Sequence, residues 1–283
     1  MLQVSRYINL VINRSLNLTM TQIEHLQAVI LSIAKDIDKI CKENNIEYYL
    51  LGGSCIGAIR HQGFIPWDDD LDIIMTRANY NRFIEVCKTK LDKEKYYLQV
   101  GLKDWPLYFS KIRLKGTNIH EPEDDYASPD MRGIFVDIFA LDNVSDNKFL
   151  AFFQYILGKY YLCYQLGKRK YKNTSIKKKL MIILASPLRV PFLRRLVKNY
   201  MEKFNSRSTE RLGFFYGRTR LKNAIVKKSI YGKPTYVPFE DTVLPVPEYY
   251  HEYLTQLFGD YMKLPPENQR VGNHMLSIDF GKY

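Results

Sequence analysis

The run Pro66-Trp67-Asp68-Asp69-Asp70-Leu71-Asp72 places four carboxylates in five positions. Side chains alternate faces along a strand, so a strand over 68–75 puts Asp68, Asp70 and Asp72 together and turns Asp69 away. Three like charges that close repel unless water, protons or a cation neutralise them. An acidic turn in water is one answer. The run leads directly into apolar Leu71-Asp72-Ile73-Ile74-Met75, which favours the other: a hard divalent cation with oxygen ligands, Mg²⁺ or Mn²⁺. Asp137 lies in a second apolar run, Gly133 to Phe139, where a lone carboxylate is costly without a partner. Sharing the cation with Asp70 and Asp72 would remove that cost. A salt bridge to a nearby arginine would remove it equally well.

Other residues offer phosphate chemistry. Gly52-Gly53-Ser54 follows a short apolar strand and opens a predicted helix that runs to Arg60. Glycines let backbone N–H groups approach a phosphate, and a helix N-terminus favours negative charge. A Gly-Gly turn alone means little. This one lies 16 residues before Asp68, so two successive strands would present phosphate donors and metal ligands side by side. Lys111 and Arg113 alternate onto one face of a predicted strand at 107–115, and an arginine fork can grip phosphate bidentately. Arg60 and His61 fall between the glycines and the Asp run. They either orient groups there or serve as cations at a helix C-terminus.

The elements that must position these groups are legible in part. Ile23, Leu26, Ile30, Ile33, Ile37 and Ile40 recur at helical steps, predicting an amphipathic helix over 21–43. Thr21 and Glu24 have capping-box spacing, and Asn44-Asn45 is a stop signal. Strands are expected at 48–51, 68–75, 107–115 and 134–139, and helices at 77–91 and 248–258. Gly63 and Pro66 mark a turn. From 147 to 228 the pattern is mainly helical, aromatic and basic, broken by Pro187 and Pro191. These elements predict an α+β fold, a mixed sheet flanked by helices with a basic helical lobe. Its segments are a leader at 1–20, a core at 21–146, the lobe at 147–230 and a C-terminal segment at 231–283 that packs back on the core.

Composition narrows the function. The 283 residues carry 42 Lys and Arg against 30 Asp and Glu, a net +12. Residues 148–233 hold 22 of the basic residues and only two acids, Glu202 and Glu210, which leaves 20 basic and 28 acidic residues elsewhere. A strongly basic middle between acidic flanks points to an anionic partner: phosphate, nucleic acid or anionic lipid. Cys41, Cys55, Cys87 and Cys163 stand too far apart for a zinc site or a disulfide framework, which suggests a reducing compartment. No stretch approaches the apolar length of a membrane span. Arg6 and Arg14 interrupt the apolar leader, so it does not read as a signal peptide, and Met20 is an alternative start. Lys177-Lys178-Lys179 beside Leu180-Met181-Ile182-Ile183-Leu184, continued by Arg189, Arg194, Arg195 and Lys198, suits an interfacial helix on anionic lipid. The plainer alternative is a solvated helical face over a core stripe.

The stretch from Gly52-Gly53-Ser54 through Arg60-His61-Gln62-Gly63 to Pro66-Trp67-Asp68-Asp69-Asp70-Leu71-Asp72 resembles the signature of the LicD family, bacterial phosphotransferases related to fukutin and fukutin-related protein. The resemblance continues through Gly133–Phe139 to Leu141-Asp142 and resumes at Val237-Pro238-Phe239-Glu240, Val246-Pro247 and Gly259–Pro266. It ends near Gln269-Arg270 and His274. It spans roughly residues 20–280, and the 52–72 motif is its specific part. Ser54-Cys55-Ile56 stands where the family usually has Thr-Leu-Leu, and Ala140 where it has Pro; neither change removes a charged group.

The resemblance implies a nucleotidyltransferase-like core. It also implies transfer of a phosphorylated group, phosphocholine or similar, from a CDP-linked donor to a sugar hydroxyl, with CMP leaving. The acceptors it implies are cell-surface glycans or lipid-linked sugars: teichoic acid, lipopolysaccharide or capsule units. On that reading Asp68, Asp70, Asp72 and Asp137 hold Mg²⁺, and Asp137 takes the hydroxyl proton. Gly52, Gly53, Ser54, Arg60, His61, Lys111, Arg113 and His274 surround the substrates. The expected location is cytoplasmic, peripheral on the inner face of the cell membrane. A nucleotidyltransferase acting on RNA or a small molecule is the competing enzyme, although no RNA-binding signature is present and nucleic acid is not the expected partner. A catalytically dead membrane scaffold is the competing non-enzyme, and the clustered acids argue against it.

Overall fold

A computed structural model describes residues 20–120, 128–168, 175–217, 219–270 and 277–283. Helix α1 (Met20–Glu43) is the amphipathic helix read from the isoleucine spacing. It buries Leu26, Ile30, Ile33 and Ile37 almost completely against the sheet. Strand β1 (Tyr49–Leu50) leads into α2 (Gly52–His61), then β2 (Asp72–Thr76) and α3 (Arg77–Lys90). β3 (Tyr96–Gln99), β4 (Ser110–Leu114), β5 (Asn118–His120) and the ten-residue β6 (Phe135–Val144) follow.

The basic stretch contributes α4 (Lys148–Lys168), α5 (Ile176–Leu184) and α6 (Pro191–Glu202). It then forms β7 (Arg211–Gly213), the single turn α7 (Leu221–Ala224), β8 (Ile225–Lys227) and the single turn α8 (Lys228–Tyr231). The chain ends in β9 (Thr235–Phe239), β10 (Thr242–Val246), α9 (Tyr250–Phe258) and β11 (Ser277–Asp279).

The main sheet runs β1-β2-β6-β4-β3, with β7 paired to β6 and β8 to β7. β2 and β6 are parallel, and the other pairs are antiparallel. This is the α+β mixed sheet flanked by helices that the sequence predicts. The expected helical lobe differs in one respect: its strands β7 and β8 extend the main sheet from the far end of β6. Three-residue strands such as Arg-Leu-Gly are too short to show a period.

A second difference concerns the Asp run. The strand begins at Asp72, and residues 68–71 are irregular. The reason lies in their hydrogen bonds. Asp68 N–H closes a turn onto Ile65 O at 2.8 Å. Gln27 Nε2, from α1, donates to the carbonyls of Ile65 (3.1 Å) and Asp68 (2.9 Å). Those carbonyls are therefore satisfied by a helix side chain, outside any strand ladder.

The β9–β10 hairpin closes on the same region. Glu240 N–H donates to Gln62 O at 2.7 Å, and Glu240 Oε1 accepts the Phe64 N–H at 2.9 Å. A Cβ on Gly63 would stand 2.0 Å from Glu240 Oε1, so a side chain there would have to displace the Glu240 carboxylate from its contact with Phe64 N–H. The four cysteines are free thiols. Among the described residues no helix is long and apolar enough to cross a membrane.

Candidate active site

Strand register brings the charged residues together. Asp72 on β2 lies opposite Asp137 on β6, Asp137 opposite Lys111 on β4, and Lys111 opposite Gln99 on β3. Residues in register share a face of the sheet, so this row crosses four strands on one side. Lys111 Nζ stands 2.9 Å from Asp137 Oδ1, with the two side chains 3% and 12% exposed. The partner that relieves the buried Asp137 is thus a lysine rather than the arginine considered from sequence. The Lys111 ammonium also faces the rings of Phe135 and Trp105, at 3.2 and 5.3 Å from their centroids.

The irregular run beside this row carries a second carboxylate group. Asp68, Asp69 and Asp70 each offer an oxygen, and the three oxygens lie within 4.8 Å of one another. Asp69, which a regular strand would turn away, is buried and belongs to this group. A tight turn gathers neighbouring side chains that a strand would separate. Asp72 feels the crowd. Burial first, then the charges of Asp70, Asp137 and Asp68, push its carboxyl well above the ordinary carboxylate range, against an opposing pull from Lys111. Clustered hard oxygen donors whose mutual repulsion raises a proton affinity suit a divalent cation. The residues present therefore fit Mg²⁺ or Mn²⁺.

Gly52 and Gly53 form the first turn of α2, whose preceding residue Leu51 supplies no side-chain cap. Gly52 has φ +54°, a left-handed conformation that glycine adopts without strain. A Cβ on Gly53 would stand 3.0 Å from Asp68 Oδ2, so the helix N-terminus abuts the carboxylate group. Ser54, expected at phosphate, accepts the Asp72 N–H through Oγ at 2.9 Å. Its hydroxyl oxygen thereby pins the start of β2, and with it Asp72, to α2. Leu51 N–H to Asp72 O (2.9 Å) and Asp137 N–H to Leu71 O (3.1 Å) complete the fixing. Ser54→Ala leaves the Asp72 N–H without this acceptor, which costs about 1–3 kcal/mol. We expect lower denaturant stability from Ser54→Ala and wild-type stability from Ser54→Thr; equal midpoints for Ser and Ala would contradict the contact.

The remaining expected residues divide. Arg113 is buried beside Lys111 and donates Nε to Gln99 Oε1 (2.7 Å) and Nη1 to Gly133 O (3.0 Å). Those bonds make it a positioning residue for β3, β4 and the entry to β6. Arg60 and His61 sit at the opposite end of α2 from the glycines, about 14 Å along a ten-residue helix. Arg60 donates to the Tyr261 carbonyl (2.7 Å) and to His61 Nε2 (2.9 Å). Burial and the charge of Arg60 lower the pKa of His61. The His61 ring meets Trp67 edge-on at 6.4 Å, and Arg270 lies 5.6 Å over Trp67. This cluster reaches the Asp run through Trp67. His274 lies outside the described residues. Asp69, Gln27 and Arg270 were missed as site residues. Asp69 carried a signal in its place inside the acidic run and Arg270 in its place at the end of the resemblance; Gln27 carried none.

Residues 45–153, which span the Gly-Gly turn, the Asp run, Lys111 and Asp137, match the family model for the LicD/FKTN/FKRP nucleotidyltransferase domain. Lipopolysaccharide cholinephosphotransferase LicD of Haemophilus influenzae is 31% identical over 263 residues, covering 88% of this chain and 94% of that protein. Uncharacterised proteins of Rickettsia prowazekii and Rickettsia typhi are each 51% identical over 41 residues, 14% of this chain and 15% and 13% of theirs. The long match and the family model cover the site and nearly the whole fold around it, and the chain belongs to the LicD family.

Proposed function

We propose that the chain is a phosphotransferase that moves a phosphorylated group, choline phosphate in the first instance, from a CDP-linked donor to a hydroxyl of a cell-surface glycan. The observation that carries this reading is the row Asp72–Asp137–Lys111 beside the Asp68–Asp70 group. It stands in a chain similar along most of its length to a lipopolysaccharide cholinephosphotransferase. Asp68, Asp69, Asp70, Asp72 and Asp137 are the residues that would hold Mg²⁺ or Mn²⁺. Such an ion would neutralise the donor diphosphate and the charge left on CMP.

The chain's own groups have distinct tasks. Gly52 and Gly53 direct the α2 N-terminus at donor phosphate. Lys111 pairs with Asp137 at 2.9 Å, and that carboxylate is the group placed to accept the proton of the attacking sugar hydroxyl. The hydroxyl oxygen bonds to the donor's distal phosphorus, the bond to the CMP oxygen breaks, and the product is a phosphodiester. Gln27 and Ser54 hold the acidic run in place.

Thermal unfolding with a nucleotide panel tests the reading. Ligand at a hundred times its Kd adds about 2.7 kcal/mol to the folded state. A Tm increase of several degrees with CDP-choline or CMP, present with Mg²⁺ and absent with EDTA, is expected. A response confined to ATP or UTP would move the assignment to nucleotidyl transfer, the competing reading.

A further inference from the structure

Helices α4, α5 and α6 expose apolar side chains that a water-facing surface would not keep. Phe149 is 85% exposed, Ile176 86%, Phe192 67% and Ile183 65%. Isolated exposed apolar residues are ordinary, but contiguous ones mark a contact surface. Here they are contiguous. On α4, Phe149, Phe153, Ile156 and Tyr160 repeat at three- and four-residue steps. The Phe153 ring packs 5.1 Å from Tyr200 at the end of α6, and Tyr160 Oη donates to the Leu184 carbonyl at the end of α5 at 3.1 Å. The stripe on α4 thus runs into both neighbouring helices. α5 buries none of its residues, although its Ser175 cap and its α4 contact hold it in a defined place.

Charge selects the occupant. Lys177, Lys179, Arg189 and Arg195 are exposed on α5, on α6 and between them. The surrounding stretch has 22 basic residues against two acids. A second copy of this chain would set cation against cation. A nucleic acid would satisfy the cations but leave the phenylalanine and isoleucine side chains in water. An anionic bilayer satisfies both, with phosphate headgroups for the cations and the acyl boundary for the apolar side chains.

We infer that the exposed face of α4, α5 and α6 docks on an anionic lipid bilayer as a peripheral, non-spanning contact. The inference is independent of which group the active site transfers. β6 connects the two regions: Asp137 lies in the site, and Val144, about 23 Å further along the strand, is four residues before α4. Docking would therefore hold the carboxylates at a fixed height above the headgroups.

The test is flotation of the purified full chain with vesicles of phosphatidylglycerol and phosphatidylcholine in equal parts, and with phosphatidylcholine alone. Binding to the mixed vesicles only is expected, weakening with salt. The combined variant Ile176→Ser, Ile183→Ser, Phe192→Ser should lower partitioning by at least about tenfold. The combined variant Lys177→Ser, Lys179→Ser, Arg189→Ser should lower it on the order of a hundredfold. All six side chains are exposed, so both variants should fold, and unchanged circular dichroism and Tm check this. Absence of vesicle binding by the wild type would overturn the inference. So would equal binding by the apolar variant, or a wild-type dimer that the apolar variant converts to monomer without any vesicle binding.

Discussion

Asp72→Asn is expected to lower turnover at least about a thousandfold while leaving the metal-free protein as stable as the wild type or more so. Both halves come from one observation. Asp72 lies opposite Asp137 in register, and Asp70 and Asp68 add their charges. Asparagine has the same shape and keeps one oxygen, but it removes an anion from a crowded group. The proton balance gives the sign of the pH dependence. The folded-state pKa of Asp72 is raised above its unfolded value of about 3.9. Its stability contribution is therefore fully present below that unfolded value and is lost as pH rises through the folded one. In EDTA, wild-type Tm should fall across that window more than the Tm of Asp72→Asn. Retained turnover in the variant, or a variant that unfolds at neutral pH, would contradict the assignment.

Asp142→Ala should do the opposite: destabilise the fold by about 3–5 kcal/mol and leave the chemistry of the surviving folded protein intact. Asp142 is fully buried on β6 and grips Arg77 in a fork, Nε to Oδ1 at 2.8 Å and Nη2 to Oδ2 at 3.0 Å. Tyr216 Oη (2.7 Å) and Asn205 Nδ2 (2.7 Å) donate to the same carboxylate. Tyr80 and Tyr108 each place a ring 5.2 Å from the Arg77 guanidinium, and Tyr108 stacks on Tyr216. Burial opposes the Arg77 charge, and Asp142 more than offsets that opposition, so the guanidinium stays protonated. Alanine would leave a buried cation and two donors unanswered. For a chain of this size, the loss corresponds to a Tm lower by roughly 10 °C. A Tm within two or so degrees of wild type would show that the network contributes little. The network spans the core helix α3, strand β6 and the segment after α6, so it is also where the basic lobe is fastened to the catalytic sheet.

Asp72 and Asp142 look alike in sequence, since each is an acid in an apolar strand. Register separates them, and register depends on contacts that are distant along the chain. The period of α1 was legible because burial on one helix face repeats locally. The acidic run and the lone Asp137 were legible because apolar neighbours make isolated acids expensive. The pairing of Lys111 with Asp137 was not legible, since nothing local says that β4 lies beside β6. The grouping of Asp69 with Asp68 and Asp70 was missed because a strand was assumed where Gln27, about forty residues earlier, instead takes the carbonyls of a turn. The basic stretch reads as mainly helical, without the two strands, because β7 and β8 have only three residues each and owe their form to the end of β6.

The reaction proposed for this site moves phosphocholine to a hydroxyl while CMP leaves. Mass spectrometry of the products formed from CDP-choline and a lipopolysaccharide acceptor tests it most directly. CMP and an acceptor heavier by one phosphocholine group are expected, both dependent on Mg²⁺ or Mn²⁺ and both lost in Asp72→Asn. An acceptor carrying cytidine monophosphate with release of phosphocholine, or the same products from Asp72→Asn at the wild-type rate, would contradict it.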